Sequence, residues 1–197
     1  SAPAGEVLPL NFDWDVDVFS PEDLVVCRTT RPLIALAFKM LRSRIPVTVM
    51  GREIGVGLVK LIKKFNTNNI EVLMKKIEAW SGREIEKAVA KMDESKIASV
   101  EDKAQCLLML AEEVTEEGGN VQSLINIIEQ LFTPSRNCTT LATIHKAKGL
   151  EADTVYWLNS SQCPSKWARQ QWQKDQENNL CYVATTRAKS KLVLIEM

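Results

Sequence analysis

Between Leu24 and Met50 the chain runs apolar segment, apolar helix, apolar segment, and this order constrains the fold more than any other feature. Leu24-Val25-Val26-Cys27-Arg28 has no polar alternation, which is the pattern of a strand covered on both faces. Thr29 or Thr30 can cap a following helix, with Pro32 in its first turn. That helix is predicted from Pro32 to about Arg44 and is apolar on most sides through Leu33, Ile34, Leu36, Ala37, Phe38, Met40 and Leu41. Such a helix belongs against a sheet. Ile45-Pro46 ends it, Val47-Thr48-Val49-Met50 reads as a second strand, and Gly51 closes the unit. Strand, helix and strand in this order make the unit of a parallel sheet.

The β-favouring pattern disappears and later returns. Cys138–Ile144, Thr154–Leu158 and Lys191–Ile195 read as strands, and Ser165–Lys189 as mostly helical with a break near Asp175. Between the two strand-bearing regions, apolar residues recur at helical spacing: Ile70, Leu73, Ile77, Trp80, Ile85, Ala88, Met92; then Val100, Ala104, Leu107, Leu108, Ala111, Val114; then Val121, Leu124, Ile125, Ile128, Leu131, Phe132. A further helix is expected over Ile54–Phe65, weakened at its start by Gly55 and Gly57. Turns are expected at Asn66–Asn69, Asp93–Lys96 and Gly118–Asn120, and Ser99 with Asp102 has the spacing of a capping box. The expected organisation is an extended lead-in over 1–23, an α/β domain over 24–52 and 134–197, and an all-helical insertion over 53–133.

Composition narrows the class. No apolar run approaches the roughly 18 residues of a membrane span. Ser-Ala-Pro-Ala-Gly-Glu has neither the charge nor the apolar core of a signal peptide and lacks an initiator Met, so a fragment or processed product is expected, working in the cytoplasm. Five cysteines without CxxC spacing, beside a single histidine, argue against zinc and for buried thiols in a reducing compartment. Net charge is zero, which excludes a globally basic nucleic-acid binder, but it is unevenly placed. Residues 1–30 carry six acids against Arg28, and residues 136–197 carry nine bases against five acids. A local basic patch at the C-terminal end remains open beside a plain solvated surface.

Two stretches offer chemistry. Thr143-Ile-His-Lys-Ala-Lys-Gly-Leu-Glu151 follows a strand directly, at the end of a parallel sheet where ligands sit. Basic side chains at His145, Lys146 and Lys148 suit phosphate, Glu151 suits a sugar hydroxyl, and Gly149 permits a tight turn. The plain alternative is a polar loop with ordinary surface charges. Leu180-Cys-Tyr-Val-Ala-Thr-Thr-Arg-Ala-Lys189 sets Arg187 near the end of an apolar helix. There it can serve as a partner of the helix dipole, or as an arginine finger making paired contacts with a γ-phosphate.

Together and in this order, the two stretches resemble motifs V and VI of superfamily 1 DNA helicases, closest to the UvrD/Rep/PcrA group. Val25-Val26-Cys27-Arg28-Thr29-Thr30 is similar to the start of that family's second RecA-like domain, with Thr30 where the family carries Asn. The resemblance covers about 25–50 and 138–197, and the helical middle stands where the family has its 2B subdomain, much reduced. It implies a RecA-like parallel sheet flanked by helices. It implies Arg187 as arginine finger, Glu151 at the ribose, and Lys148 and Gly149 beside the nucleotide. It also implies that Thr143, His145, Lys146, Arg28 and Thr29 lie on the single-stranded DNA side. The implied ligands are ATP with Mg²⁺, single-stranded DNA and a duplex junction.

No GxxxxGK[ST] occurs, and no Asp-Glu pair follows an apolar strand. In the family those parts, including the Mg²⁺ site, belong to an N-terminal RecA-like domain, the implied partner in the same parent chain. The isolated chain is therefore expected not to hydrolyse ATP. Two other readings stand beside the motor: part of a RecB/AddA-type helicase–nuclease, and a non-enzymatic docking module. Trp167 and Trp172, interleaved with Lys166, Arg169 and Lys174, either stack on unpaired bases or pack against protein. Trp157 lies within a strand and is expected in the core. The helical insertion, near neutral in charge, is read as a subdomain touching duplex DNA or a partner.

Overall fold

The computed structural model describes residues 5–9, 14–165 and 168–197. The chain divides into two compact units, one made of residues up to Met50 together with Pro134–Met197, the other of Gly51–Thr133.

The first unit is built on a six-stranded sheet. The strands are β1 (Glu6–Pro9), β2 (Leu24–Cys27), β3 (Val47–Val49), β4 (Thr139–Thr143), β5 (Ala152–Leu158) and β6 (Ala188–Ile195), ordered β1-β6-β5-β2-β4-β3. Every neighbouring pair is parallel. β2 lies between β5 and β4, with Cys27 level with both Leu158 and Thr143. Its four residues are all buried, as a strand covered on both faces requires. Leu24 and Val26 join Ala142, Val155, Trp157, Leu180, Ala184 and Leu192 in one apolar cluster. Val25, Cys27 and Leu141, at the alternate positions, are equally buried. Helix α1 (Thr30–Arg42) packs against β2, β3 and β4.

The turn out of α1 shows how local chemistry fixes the path. Arg44 adopts the left-handed conformation (φ 59°), its N–H donates to Leu41 O, and Ile45 N–H donates to Met40 O. This pair of bonds closes a helix and redirects the chain, and Pro46 then prevents any continuation.

β1 lies inside the extended lead-in expected over 1–23, where it pairs as an edge strand. It is largely exposed and is held by its backbone ladder to β6, from Glu6 level with Lys191 to Pro9 level with Leu194. The stretch behind it is pinned by aromatic packing. Phe19 meets Tyr156 and Trp14 edge-on, Tyr156 Oη donates to Val18 O, and Trp14 Nε1 donates to Glu196 O.

The second unit holds α2 (Arg52–Lys64), α3 (Ile70–Ala90), α4 (Glu94–Glu116) and α5 (Val121–Leu131). The long pair α3 and α4 pack together, and α5 packs on α2 and α4. One expectation is corrected here, and one residue gains a packing role. Ser99 lies inside α4, whose cap is Asp93, accepting from Lys96 N–H at 2.9 Å, so the Ser99/Asp102 spacing marks no helix start. Gly55 is a packing residue: a Cβ there would stand 2.7–2.8 Å from the Phe132 side chain. No described helix is long and apolar enough to cross a membrane.

Candidate functional site

Arg28 and Thr29 leave the C-terminal end of β2, and Thr143 ends β4 beside it in register with Cys27. The strand-end loop then folds back compactly. Ile144 N–H donates to Cys27 O, and both Lys146 N–H and Ala147 N–H donate to Thr143 O, at 2.8–2.9 Å. Ile144 and Ala147 are fully buried, three residues apart, and anchor the loop in the apolar cluster. Their burial leaves His145, Lys146 and Lys148 on the surface. Gly149 takes φ 87°, a conformation that favours glycine, and turns the chain towards β5.

The loop does not stay at the strand ends where it begins, and this corrects the expectation that the whole of 143–151 lies at the C-terminal edge. β5 runs parallel to β4 on the other side of β2, so it starts at the edge opposite to the one where β4 ends. Leu158 is level with Thr143 through Cys27, and Ala152 lies six residues back, roughly 20 Å at about 3.3 Å per residue. Glu151 therefore stands at the opposite edge of the sheet from Thr143 and Arg28. Arg187 stands there too, because Ala152 is in register with Ala188 and Ala152 N–H donates to Arg187 O at 3.1 Å.

Arg187 is ordered by its own chain. Its Nε donates to Val183 O (3.1 Å), one Nη1 hydrogen to Leu150 O (3.0 Å) and one Nη2 hydrogen to Thr186 Oγ1 (3.0 Å). It thus satisfies a terminal carbonyl of helix α6 (Gln171–Thr185) and ties the end of that helix to the end of the 143–151 loop. The second hydrogen on each Nη nitrogen is not used in these bonds, so the residue can present a planar pair of donors to an oxyanion. The Glu151 carboxylate, next to Leu150, adds an exposed acceptor at the same edge.

The site residues thus fall into two groups. Arg28, Thr29, Thr143, His145 and Lys146 lie at the C-terminal strand edge, Glu151 and Arg187 at the N-terminal edge, and Lys148 and Gly149 on the path between.

Sequence reasoning missed Glu177, which fastens helix α6 to the end of β2. α6 is continuous through Asp175, contrary to the expected break, and carries Glu177 about 15 Å from Arg187 along its axis, at ~1.5 Å per residue. Glu177 is 7% exposed and receives Arg28 Nη2 at 2.6 Å, Arg28 Nε at 3.0 Å and Ser165 N–H at 2.9 Å. Burial pushes its carboxyl up, but the bonds from Arg28 and Ser165 outweigh burial and hold it below the usual carboxylate range. The Glu177 bond also raises the Arg28 guanidinium further. His145 reaches solvent, yet the protein packed around its ring pushes it below its ordinary value, helped by Arg28 and Lys148 and opposed by Glu177. The sequence signal was present: Glu177 lies on the same stripe as Leu180 and Ala184, and an acid on a buried stripe requires a basic partner.

Trp157 is buried as expected. Trp172 is 56% exposed, and its Nε1 donates to Gln170. The expectation for Trp167 and Lys166 falls outside the described residues. Among the described residues no group of His, Cys, Asp and Glu is arranged to hold a metal ion.

A six-stranded, all-parallel sheet flanked by helices defines the class as an α/β fold of the RecA-like kind. The model of the UvrD-like helicase C-terminal domain matches residues 51–197, and the chain belongs to that family. No curated protein matches the chain.

Proposed function

We propose that this domain is the second half of an ATP-driven DNA translocase, with its nucleotide side at the N-terminal strand edge and its DNA side at the C-terminal edge. One observation carries the proposal: Arg187, bonded to Leu150 O, and the neighbouring Glu151 lie at one edge, while Arg28, Thr143 and His145 lie at the other. Two continuous connectors, the 143–151 loop and helix α6, run between these edges. In this reading an N-terminal RecA-like domain of the parent chain brings ATP and holds Mg²⁺. Bound ATP supplies the phosphoanhydride whose hydrolysis drives the cycle. Arg187 contributes positive charge at the γ-phosphate, the position where such charge most lowers a phosphoryl-transfer barrier. Glu151 accepts from a ribose hydroxyl, with Lys148 and Gly149 shaping the loop beside the phosphates.

At the opposite edge Thr143, His145, Lys146, Arg28 and Thr29 line the track for single-stranded DNA. A shift at Arg187 moves the end of α6, and Glu177 passes that shift to Arg28. The chain alone, without a phosphate-cradling loop in its sequence, does not turn over ATP. The test is DNA-stimulated ATPase of the parent chain with and without Arg187→Ala. Loss of about 10³-fold or more in kcat is expected, the scale of an arginine finger. Full turnover in the variant would sink the assignment.

A further inference from the structure

We infer that Cys163 and Cys181 form a dithiol modification site, a pair that a low-molecular-weight disulfide converts to an internal disulfide. This inference stands apart from the motor reading and uses residues to which that reading gives no role. The two Sγ atoms are 3.0 Å apart, one in the segment after β5 and one in α6. Their approach follows from the surrounding structure. Glu177 and Cys181 are four residues apart and share one face of α6. Cys163 and Ser165 are two apart on the facing segment, and Ser165 N–H is bonded to Glu177. The segment is thus fastened to the helix one turn before the thiols meet.

The remaining cysteines, Cys27, Cys106 and Cys138, are buried, and of the five only Cys181 is partly exposed. A reagent from solvent therefore meets Cys181 first, with Cys163 (8% exposed) behind it. Burial, and then the neighbouring Cys181 thiol and Glu177, push the Cys163 thiol up, so it does not compete as the first nucleophile.

The chemistry balances. Cys181 thiolate attacks one sulfur of the small disulfide, forming a mixed disulfide and releasing one small thiolate. Cys163 then attacks Cys181 Sγ, its proton passing to the released thiolate, and the second small thiolate leaves and is protonated by solvent. The two protein thiols are oxidised by two electrons, and the small disulfide is reduced to two thiols. Closing the bond brings the sulfurs to about 2.05 Å, an approach of roughly 1 Å by a helix side chain and a connecting segment. The product is a covalent staple across the contact that Glu177 and Ser165 already make.

The test uses this chain, incubated with oxidised glutathione, quenched by alkylation and mapped by mass spectrometry under non-reducing conditions. The expected product has lost two hydrogens, links Cys163 to Cys181 and leaves Cys27, Cys106 and Cys138 alkylatable. Cys163→Ser should stop at a glutathione adduct on Cys181, and Cys181→Ser should react at least about tenfold more slowly. Circular dichroism confirms that both variants are folded; Cys163→Ala or Cys181→Ala replaces the corresponding serine variant if it is not. A different disulfide partner, a stable adduct on Cys181 in the unsubstituted chain, or equal rates in all three proteins would overturn the inference.

Discussion

Removing the Glu177 carboxylate tests whether helix α6 is fastened to the end of β2 as described. Glu177→Ala leaves the Arg28 guanidinium without its partner and Ser165 N–H without its acceptor. Breaking one side of a fully buried ion pair costs about 3–5 kcal/mol. Here the Arg28 side chain is 25% exposed and that of Glu177 9%, so water can reach part of the stranded cation. The expected loss is therefore about 2–3 kcal/mol, below the fully buried range. With a urea slope of about 2 kcal/mol/M, the midpoint should fall by roughly 1 M.

The assay is a urea titration read by hydrogen exchange at peptides from β2, β5 and α6, which isolates the sheet unit from the helical one. Arg28→Ala and the double substitution complete the cycle, and the double variant should lose clearly less than the two single losses together. The pair also has a pH signature. The Glu177 carboxyl is held below its ordinary 4.5, so its contribution is present above that value and is lost as pH falls through the depressed one. A loss under roughly 0.5 kcal/mol, or strict additivity in the cycle, would refute the claim that this pair fastens α6 to β2.

Two further outcomes follow from the packing and from His145. Gly55→Ala gains about 1 kcal/mol of helix propensity but drives a Cβ into Phe132, an overpacking that costs about 1–3 kcal/mol; a net lowering of the thermal midpoint is expected, whereas in a Phe132→Ala background, itself destabilised by roughly 3–5 kcal/mol, adding Gly55→Ala should cause no further loss. His145 resists protonation in the folded chain. As pH falls below its ordinary value near 6.5, the unfolded chain takes up a proton that the folded chain refuses, and stability declines. In urea titrations from pH 7 to pH 5, His145→Gln should show a shallower decline than the unsubstituted chain. An identical pH profile would show that the ring is not perturbed.

The interior of the fold was legible because it is written in runs of side chains. Leu24–Cys27 and Thr154–Leu158 are buried on both faces, so their composition alone marks them. β1 was not legible because it is a short edge strand: only Val7 and Leu8 are clearly apolar, and its stability comes from backbone bonds to β6. Ser99 misled because capping spacing also occurs inside helices, and Asp93, six residues earlier, supplies the real cap. At the site, the loop and Arg187 were legible as motifs, but their separation across the sheet was not. That separation follows from β4 and β5 being parallel, so the chain has to return to the opposite edge before Ala152, whereas a motif read along the sequence looks like one place. Glu177 was missed because its partner lies 149 residues away in sequence.

The pairing of β3 with β4 constrains how this chain can be altered. Because the two strands run in the same direction, the chain leaves Val49 at one edge of the sheet and must re-enter at the other edge to begin Thr139. A tight turn cannot make that journey, and a return of this kind takes about a dozen residues or more. Residues 51–133 therefore occupy a cassette position that can lengthen, shrink or be exchanged for another module while the sheet keeps its strand order. Its size has a floor set by the return path. A designer who replaces these helices must supply a span that doubles back along the strands, or lose β3 from the edge of the sheet.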